Sequence, residues 1–385
     1  MDTEHLSKSR SGRYLRRKSC VLISLTIGLV LVGTVLLWAR AQASGVEVSL
    51  EGSAAEPALA AYGEYGVSYV FRFSPTLQAF EVFTIPTAGA APDGVVVSDS
   101  GIWFAETGAD RIGRLVYTGT TDYAFQEYEL PAGSRPMNVA VDGDGRVWFT
   151  EHGRNRIGYV DASTGITYEF VISTTDVAPM DLDVAPNDSI WFTERATDHI
   201  GQLIFTTTTD YQVREFYVGM PDAGLSGVLA QGNDRIWAAL SNKGRLVLLK
   251  PSVPNVYPTS ALTSTAYPFM LAPASGDQSL WFTELYGNHI SLFVVSTNEW
   301  GLRYTVPSAN SRPYNLDVDS TGAVWFSEQA GGKIGRLALT PMGTFTEFPV
   351  PLQHGRIQGL DVDAEDVVWF VADSWSILNL PIVMR

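Results

Sequence analysis

The 385-residue chain is 45% hydrophobic and 17% charged, carries a formal net charge of −15, and contains one cysteine. Residues 1–40 hold seven basic and two acidic residues, which leaves 41–385 at −20; a body that acidic repels phosphate backbones, so nucleic acid is excluded as a general partner. The lone Cys20 excludes an internal disulfide, a cysteine nucleophile in the body and Cys–His metal spacing, so stability must come from packing and sheet pairing.

In chain order, residues 1–19 form a basic segment and 20–39 (CVLISLTIGLVLVGTVLLWA) an uncharged apolar run. Twenty residues span about 30 Å as a helix, enough to cross a bilayer core. Basic residues precede the run, which places the N-terminus in the cytoplasm and the body outside it. Trp38 stands where an interfacial aromatic is expected. Two readings of this segment stand. Ala41-Gln42-Ala43 suits signal peptidase and predicts a body secreted by cleavage after Ala43. The run also exceeds the roughly 7–15 apolar residues of a signal core, which predicts an uncleaved membrane anchor. Residues 40–66, rich in Ala, Gly, Ser and Glu without a period, read as a linker.

From residue 67 onward the sequence repeats. Trp103-Phe104-Ala105-Glu106 recurs as Trp148-Phe149-Thr150-Glu151, Trp191-Phe192-Thr193-Glu194, Trp281-Phe282-Thr283-Glu284 and Trp325-Phe326-Ser327-Glu328, with weaker copies at Trp237-Ala238-Ala239-Leu240 and Trp369-Phe370-Val371-Ala372. The tryptophan spacings are 45, 43, 46, 44, 44 and 44 residues, giving seven units. Each unit has an alternating apolar run such as Asn138–Val141, a polar turn such as Asp142–Gly145, and the Trp-Phe strand. Next come an Ile-Gly strand such as Arg111–Leu115 and an edge strand such as Gln126–Pro131. Four short strands per unit predict an all-β fold, a seven-bladed β-propeller of four-stranded antiparallel blades over 67–385.

Only 16 residues follow Trp369, and the missing edge strand is found at the other end, where Phe80–Pro86 lies 45 residues before Phe125. The N-terminal side is therefore predicted to close the ring. Val67–Phe73 and Ile377–Leu380 compete for the third-strand place in the last blade, so closure by two strands plus two or by three plus one stays open.

The Trp-Phe-Thr-Glu repeat, followed by Asn-x-Ile-Gly-Arg and Glu-Phe-x-x-Pro steps, resembles the virginiamycin B lyase (streptogramin B lyase) family over about residues 67–385, with Trp148–Ile157 (WFTEHGRNRI) among the clearest stretches. The resemblance implies a seven-bladed propeller that opens cyclic depsipeptide antibiotics by a Mg2+-assisted elimination breaking a C–O ester bond. It also implies a Pro-His-Gly/Ala-Ile motif opening the innermost strand of the last two blades, with one histidine as general base and the other touching substrate. In this chain Tyr314 and Gln358 stand where those histidines are expected. The family's first metal carboxylate falls on Arg356, and its second has a counterpart in Asp373. Gln358 cannot take a proton, and a tyrosine with its pKa near 10 is a poor base.

The innermost positions of the seven blades are Asp93, Met137, Met180, Ser226, Phe269, Tyr314 and Gln358. They differ from blade to blade, as the lining of a ligand site does, and a channel plugged by Met and Phe is the bland alternative. His152 is placed at the channel mouth or in solvent, and His354 in the loop entering the last blade, while His199 and His289 read as polar turn residues. Glu106, Glu151, Glu194, Glu284 and Glu328 share one position. They are expected either to ring the axis as cation ligands or to accept hydrogen bonds from the loop residues Asp110, Asn155, Asp198 and Asn288.

The first expectation is an extracytoplasmic module that binds a small molecule, peptide or cell-envelope partner at its axial face. The alternative is a C–O lyase with a rearranged site using Tyr314, His354 or His152 with Mg2+ at Asp373. A structural envelope module is the third.

Overall fold

The computed structural model describes residues 66–385 apart from 118–121, 207–209, 254, 260–261, 263–265, 275, 277, 340–342, 354, 375, 378–382 and 385. The basic segment, the apolar run, the linker up to residue 65, the cleavage position and His354 lie outside the described residues. No helix among the described residues is long and apolar enough to cross a membrane.

Seven four-stranded antiparallel blades stand around one axis. Blades 1 to 6 occupy 92–129, 136–171, 179–217, 225–258, 268–305 and 313–349. The first strand of each blade is innermost and lies against the first strands of its two neighbours. Blade 7 is built from both ends of the body. Arg356–Val362 and Val368–Ser374 are its inner strands, and Val67–Ser74 and Ala79–Thr84 its outer ones, so the ring closes two plus two. Alternation decides this: Val67–Ser74 turns Tyr69, Phe71 and Phe73 into one core, where Phe71 stacks on Phe370 at 4.9 Å and Phe73 meets Phe348 at 4.7 Å. The competing C-terminal segment does not become the third strand. Ser376–Ile377 pairs with Leu352–Gln353 instead, and Val383–Met384 runs parallel outside Ala79–Thr84.

Each letter of the repeat has a physical task. The tryptophan faces the next blade: Trp103 packs with Val139 and Phe149, Trp148 with Leu182 and Phe192, and Trp369 with Val95 and Phe104 across the closure. Its indole N–H donates back to the preceding turn, from Trp148 to Asp142 at 2.7 Å, Trp325 to Asp319 at 3.0 Å and Trp369 to Asp363 at 2.9 Å. The phenylalanine lies flat on the third strand, opposite glycine in blades 1, 2, 3 and 6, Ser291 in blade 5 and Phe71 in blade 7. A Cβ on Gly201 would sit 2.1 Å from the Phe192 ring, and one on Gly335 2.1 Å from Phe326. Blade 4 makes the reciprocal choice, with Ala238 opposite Val247. The hydroxyl residue links blades. Thr193 Oγ1 accepts the Asp181 N–H at 3.1 Å and donates to the Ser226 carbonyl of the next blade at 2.6 Å; Thr150, Thr283 and Ser327 repeat this.

The ring–glycine complementarity is testable. Gly201→Val alone should cost about 1–3 kcal/mol by overpacking, and Phe192→Ala alone about 3–5 kcal/mol by cavity formation. The double variant, which copies blade 4, should lose less than their sum in denaturant unfolding; strict additivity would show that the two positions are not coupled.

Candidate functional site: the mouth of the axial channel

Every innermost strand begins at one end of the ring and loses register with its partner over its second and third residues, as between Pro92 and Val95 or Pro313 and Leu316. This bulge leaves two residues per blade outside the ladder at the channel. The first of each pair is the predicted set Asp93, Met137, Met180, Ser226, Phe269, Tyr314 and Gln358, and the structure brings these together with none more than 7% exposed. The second is Gly94, Asn138, Asp181, Gly227, Met270, Asn315 and Gly359. Glycine there admits a neighbouring backbone: a Cβ on Gly359 would lie 2.2 Å from the Asp93 carbonyl. The polar members cap amides of the bulges. Asn315 accepts the Leu316 N–H at 2.7 Å, and Asp181 accepts those of Leu182 at 2.9 Å and Val228 at 2.7 Å.

These side chains nearly fill the channel. The space left between Asp93, Met137, Met180, Met270 and Tyr314 is about 10 Å3, room for one water. Tyr314 stacks against Phe269 at 4.8 Å and donates its hydroxyl to Asp93 at 3.0 Å. Ser226 lies 2.7 Å from the Ser241 hydroxyl, with the Phe269 carbonyl at 2.9 Å. Gln358 donates its amide to the Pro92 carbonyl at 2.8 Å.

The pair aligned with the family's metal carboxylates is an ion pair. Arg356 and Asp373 are opposite residues in the blade 7 ladder, and the guanidinium meets the carboxylate at 2.8 Å. Burial lifts the Asp373 pKa above the usual carboxylate range while Arg356 opposes the rise. No three His, Cys, Asp or Glu residues group to hold a metal among the described residues. One carboxylate already held by a guanidinium does not fit Mg2+, which needs several oxygen ligands.

His152 sits at the mouth with Nδ1 3.2 Å from the Pro179 carbonyl, and burial together with nearby Arg135 holds its pKa below the ordinary imidazole value. His199 contacts the Thr197 carbonyl at 2.6 Å, and His289 lies 3.6 Å from Glu284; rather than sitting in turns, both open the third strands and pair with the repeated glutamates in the ladder. The repeated glutamates do not converge on the axis. They are fully buried inside their own blades and point outward: Glu284 takes Ser291 at 2.6 Å and the Arg303 fork of the outer strand at 2.5 and 2.8 Å. Nor do the expected loop residues donate to them. Asp110, Asp198 and Asn288 instead clamp the crossover to the next blade, Asp110 accepting the Arg135 and Gly133 amides at 2.7 and 2.8 Å, because their left-handed backbone turns the side chain that way.

The rim of the mouth is where sequence reasoning stopped one residue short. The residue before each innermost strand is in the left-handed region in blades 1 to 6, with Arg135 at φ 47°, Tyr267 at 49° and Arg312 at 54°. Second strands end opposite these positions and add His152, Arg195 and Tyr286 beside them. The in-register dipeptides Arg135-Pro136, Tyr267-Pro268 and Arg312-Pro313 carried the signal.

The sequence matches the virginiamycin B lyase family over residues 75–186 and 162–378. No curated protein matches the chain. Among solved structures, selenomethionine-substituted virginiamycin B lyase from Staphylococcus aureus is 26% identical, with a TM-score of 0.64 over 73% of this chain and 94% of that one. A catalytically inactive histidine-to-alanine variant of the Staphylococcus aureus enzyme with quinupristin is 27% identical, with the same TM-score and coverage. A streptogramin B lyase structure is 25% identical, with a TM-score of 0.67 over 80% of this chain and 97% of that one.

The buried glutamates have a measurable consequence. Burial, then the outer-strand carboxylate Glu127, lifts Glu106 from 4.5 to about 8; burial lifts Glu194 to about 8 and Glu328 to about 7, with Glu215 and Glu347 adding to the rise. A carboxyl whose folded pKa exceeds its unfolded value stabilises the fold fully below the unfolded pKa and loses that contribution as pH rises through the folded one. The thermal midpoint should therefore be lower at about pH 8.5 than at about pH 5.5, and Glu106→Gln should flatten the difference. A midpoint rising over that interval would refute the assignment.

Proposed function

Because the chain belongs to the virginiamycin B lyase family, we propose that it keeps that family's propeller as an extracytoplasmic binding module and has given up the ring-opening chemistry. The observation that carries this reading is Gln358. At the place of the elimination base stands an amide that has no titratable proton acceptor and is committed to the Pro92 carbonyl. The Arg356–Asp373 ion pair supports it, since a guanidinium occupies the place of a metal ligand. A small molecule, a peptide or a cell-envelope partner would lie across the channel mouth, with Met137, Met180, Phe269 and Tyr314 as its floor. The apolar run 20–39 supports a membrane-anchored body facing outward, or a secreted one if the chain is cleaved after Ala43.

A second reading rests on Tyr314. Its hydroxyl donates to the buried Asp93 carboxylate beside the axial space, the contact through which a phenol passes a proton. That arrangement supports a C–O lyase with a rearranged site on a cyclic depsipeptide or related ester.

Incubation with quinupristin separates the two. Elimination changes chromatographic retention without changing mass, whereas hydrolysis adds a water. The body, with or without Mg2+, should bind the depsipeptide or leave it untouched and return it unopened. An isomeric ring-opened product formed as fast as by an authentic lyase, and abolished by Tyr314→Phe, would establish the second reading instead.

A further inference from the structure

We infer that the channel mouth is a binding site for a small ligand carrying a carboxylate beside a ring that can stack on a tyrosine face, held between Arg195 and Arg312 across the tyrosine pair Tyr267 and Tyr286. The inference rests on the mouth being a binding face, and it names the chemistry that face selects.

The four side chains form one continuous strip across blades 3 to 6. Arg195, at the end of the second strand of blade 3, reaches over blade 4, donating to the Leu225 carbonyl at 3.3 Å and to the Tyr267 hydroxyl at 3.1 Å. Tyr267 meets Tyr286 at 4.7 Å with the rings tilted by 64°. Arg312 then stands over the Tyr286 ring at 5.6 Å. The strip thus has a guanidinium at each end and two aromatic faces between them.

Three observations give it a ligand. First, Arg312 is exposed and pairs with no carboxylate among the described residues, unlike Arg111, Arg303 and Arg336, and unlike Arg114 and Arg245 it donates to no carbonyl or amide oxygen there either. Second, Tyr267 and Arg312 occupy left-handed backbone positions that Gly224 fills in blade 4, so large side chains are retained where glycine is the unstrained choice. Third, the space beneath, between Asp93, Met137, Met180, Met270 and Tyr314, is about 10 Å3, too small to seat a ring, which leaves the rim as the surface for one. Of the channel carboxylates, Asp373 pairs with Arg356 and Asp93 accepts the Tyr314 hydroxyl.

The planar guanidinium fork matches a carboxylate bidentately, and tyrosine faces suit a ring held beside it. The body's charge of −20 acts against ligands with many negative charges, which favours a small monoanion.

Calorimetry or tyrosine fluorescence with four probes tests this: indole-3-acetate against indole-3-acetamide, and galacturonate against galactose. The two pairs distinguish an aromatic ring from a sugar ring. At least one acid should bind at least about tenfold more tightly than its neutral counterpart. Added salt should weaken that binding. Arg312→Gln should weaken it about tenfold with the melting temperature unchanged, and Arg312→Lys should restore part of the loss. Failure of both acids to bind, equal binding of acid and neutral partner, or an acid affinity untouched by Arg312→Gln would each overturn the inference. Neutral probes that still perturb the tyrosines would leave the binding-face reading standing. Absence of any response there, to these probes and to quinupristin alike, would remove that reading as well.

Discussion

Four of the seven blade junctions depend on a hydroxyl group that holds two blades at once. In blades 2, 3, 5 and 6 the Thr or Ser of the second strand accepts the amide freed by its own blade's bulge and donates to a carbonyl of the next blade's innermost strand, as Thr193 does between Asp181 and Ser226; Ala105, Ala239 and Val371 stand there in blades 1, 4 and 7. A buried, unpaired amide at the bulge would cost about 1–3 kcal/mol. The same group fixes the angle at which the next blade approaches, and the tryptophan then fills the wedge between the two sheets. Because the contact is between neighbours, it becomes a ring only when the last blade meets the first. That junction is made by Asp361 accepting the Val97 amide at 2.7 Å and by Trp369 against Phe104.

The bulge that the hydroxyl satisfies is also what makes an axial surface. It delivers two side chains per blade to the channel, and their identity is free of the repeat's packing requirements. In this protein the freedom has been used to fill the channel and to satisfy its polar groups internally: Gln358 on Pro92, Tyr314 on Asp93, Arg356 on Asp373. Each of these contacts ties a polar side chain at the axis to another strand and so helps to hold the plug together.

One residue before the bulge lies the rim of the channel. There the chain is held in left-handed turns by the aspartate and asparagine clamps that join successive blades, and side chains such as Arg312 project beside the channel without belonging to the core. A rigid ring presenting unlike residues at equivalent points is a scaffold on which recognition can change while the fold does not.

The sequence by itself determined the seven units, their strand order, the N-terminal contribution to ring closure and the seven innermost residues, because each follows from a local period imposed by packing that repeats every blade. The absence of a histidine at the axis was equally visible, at Tyr314 and Gln358. Tertiary structure alone decided the rest. Two-plus-two closure turned on which of two similar segments places its aromatics against Phe348 and Phe370. The placement of the Glu106 carboxylate turned on the space left by Gly113 of the neighbouring strand, where a Cβ would meet it at 2.6 Å. The Arg195–Tyr267–Tyr286–Arg312 strip joins residues up to 117 positions apart, whose proximity exists only once blades 3 to 6 have packed side by side.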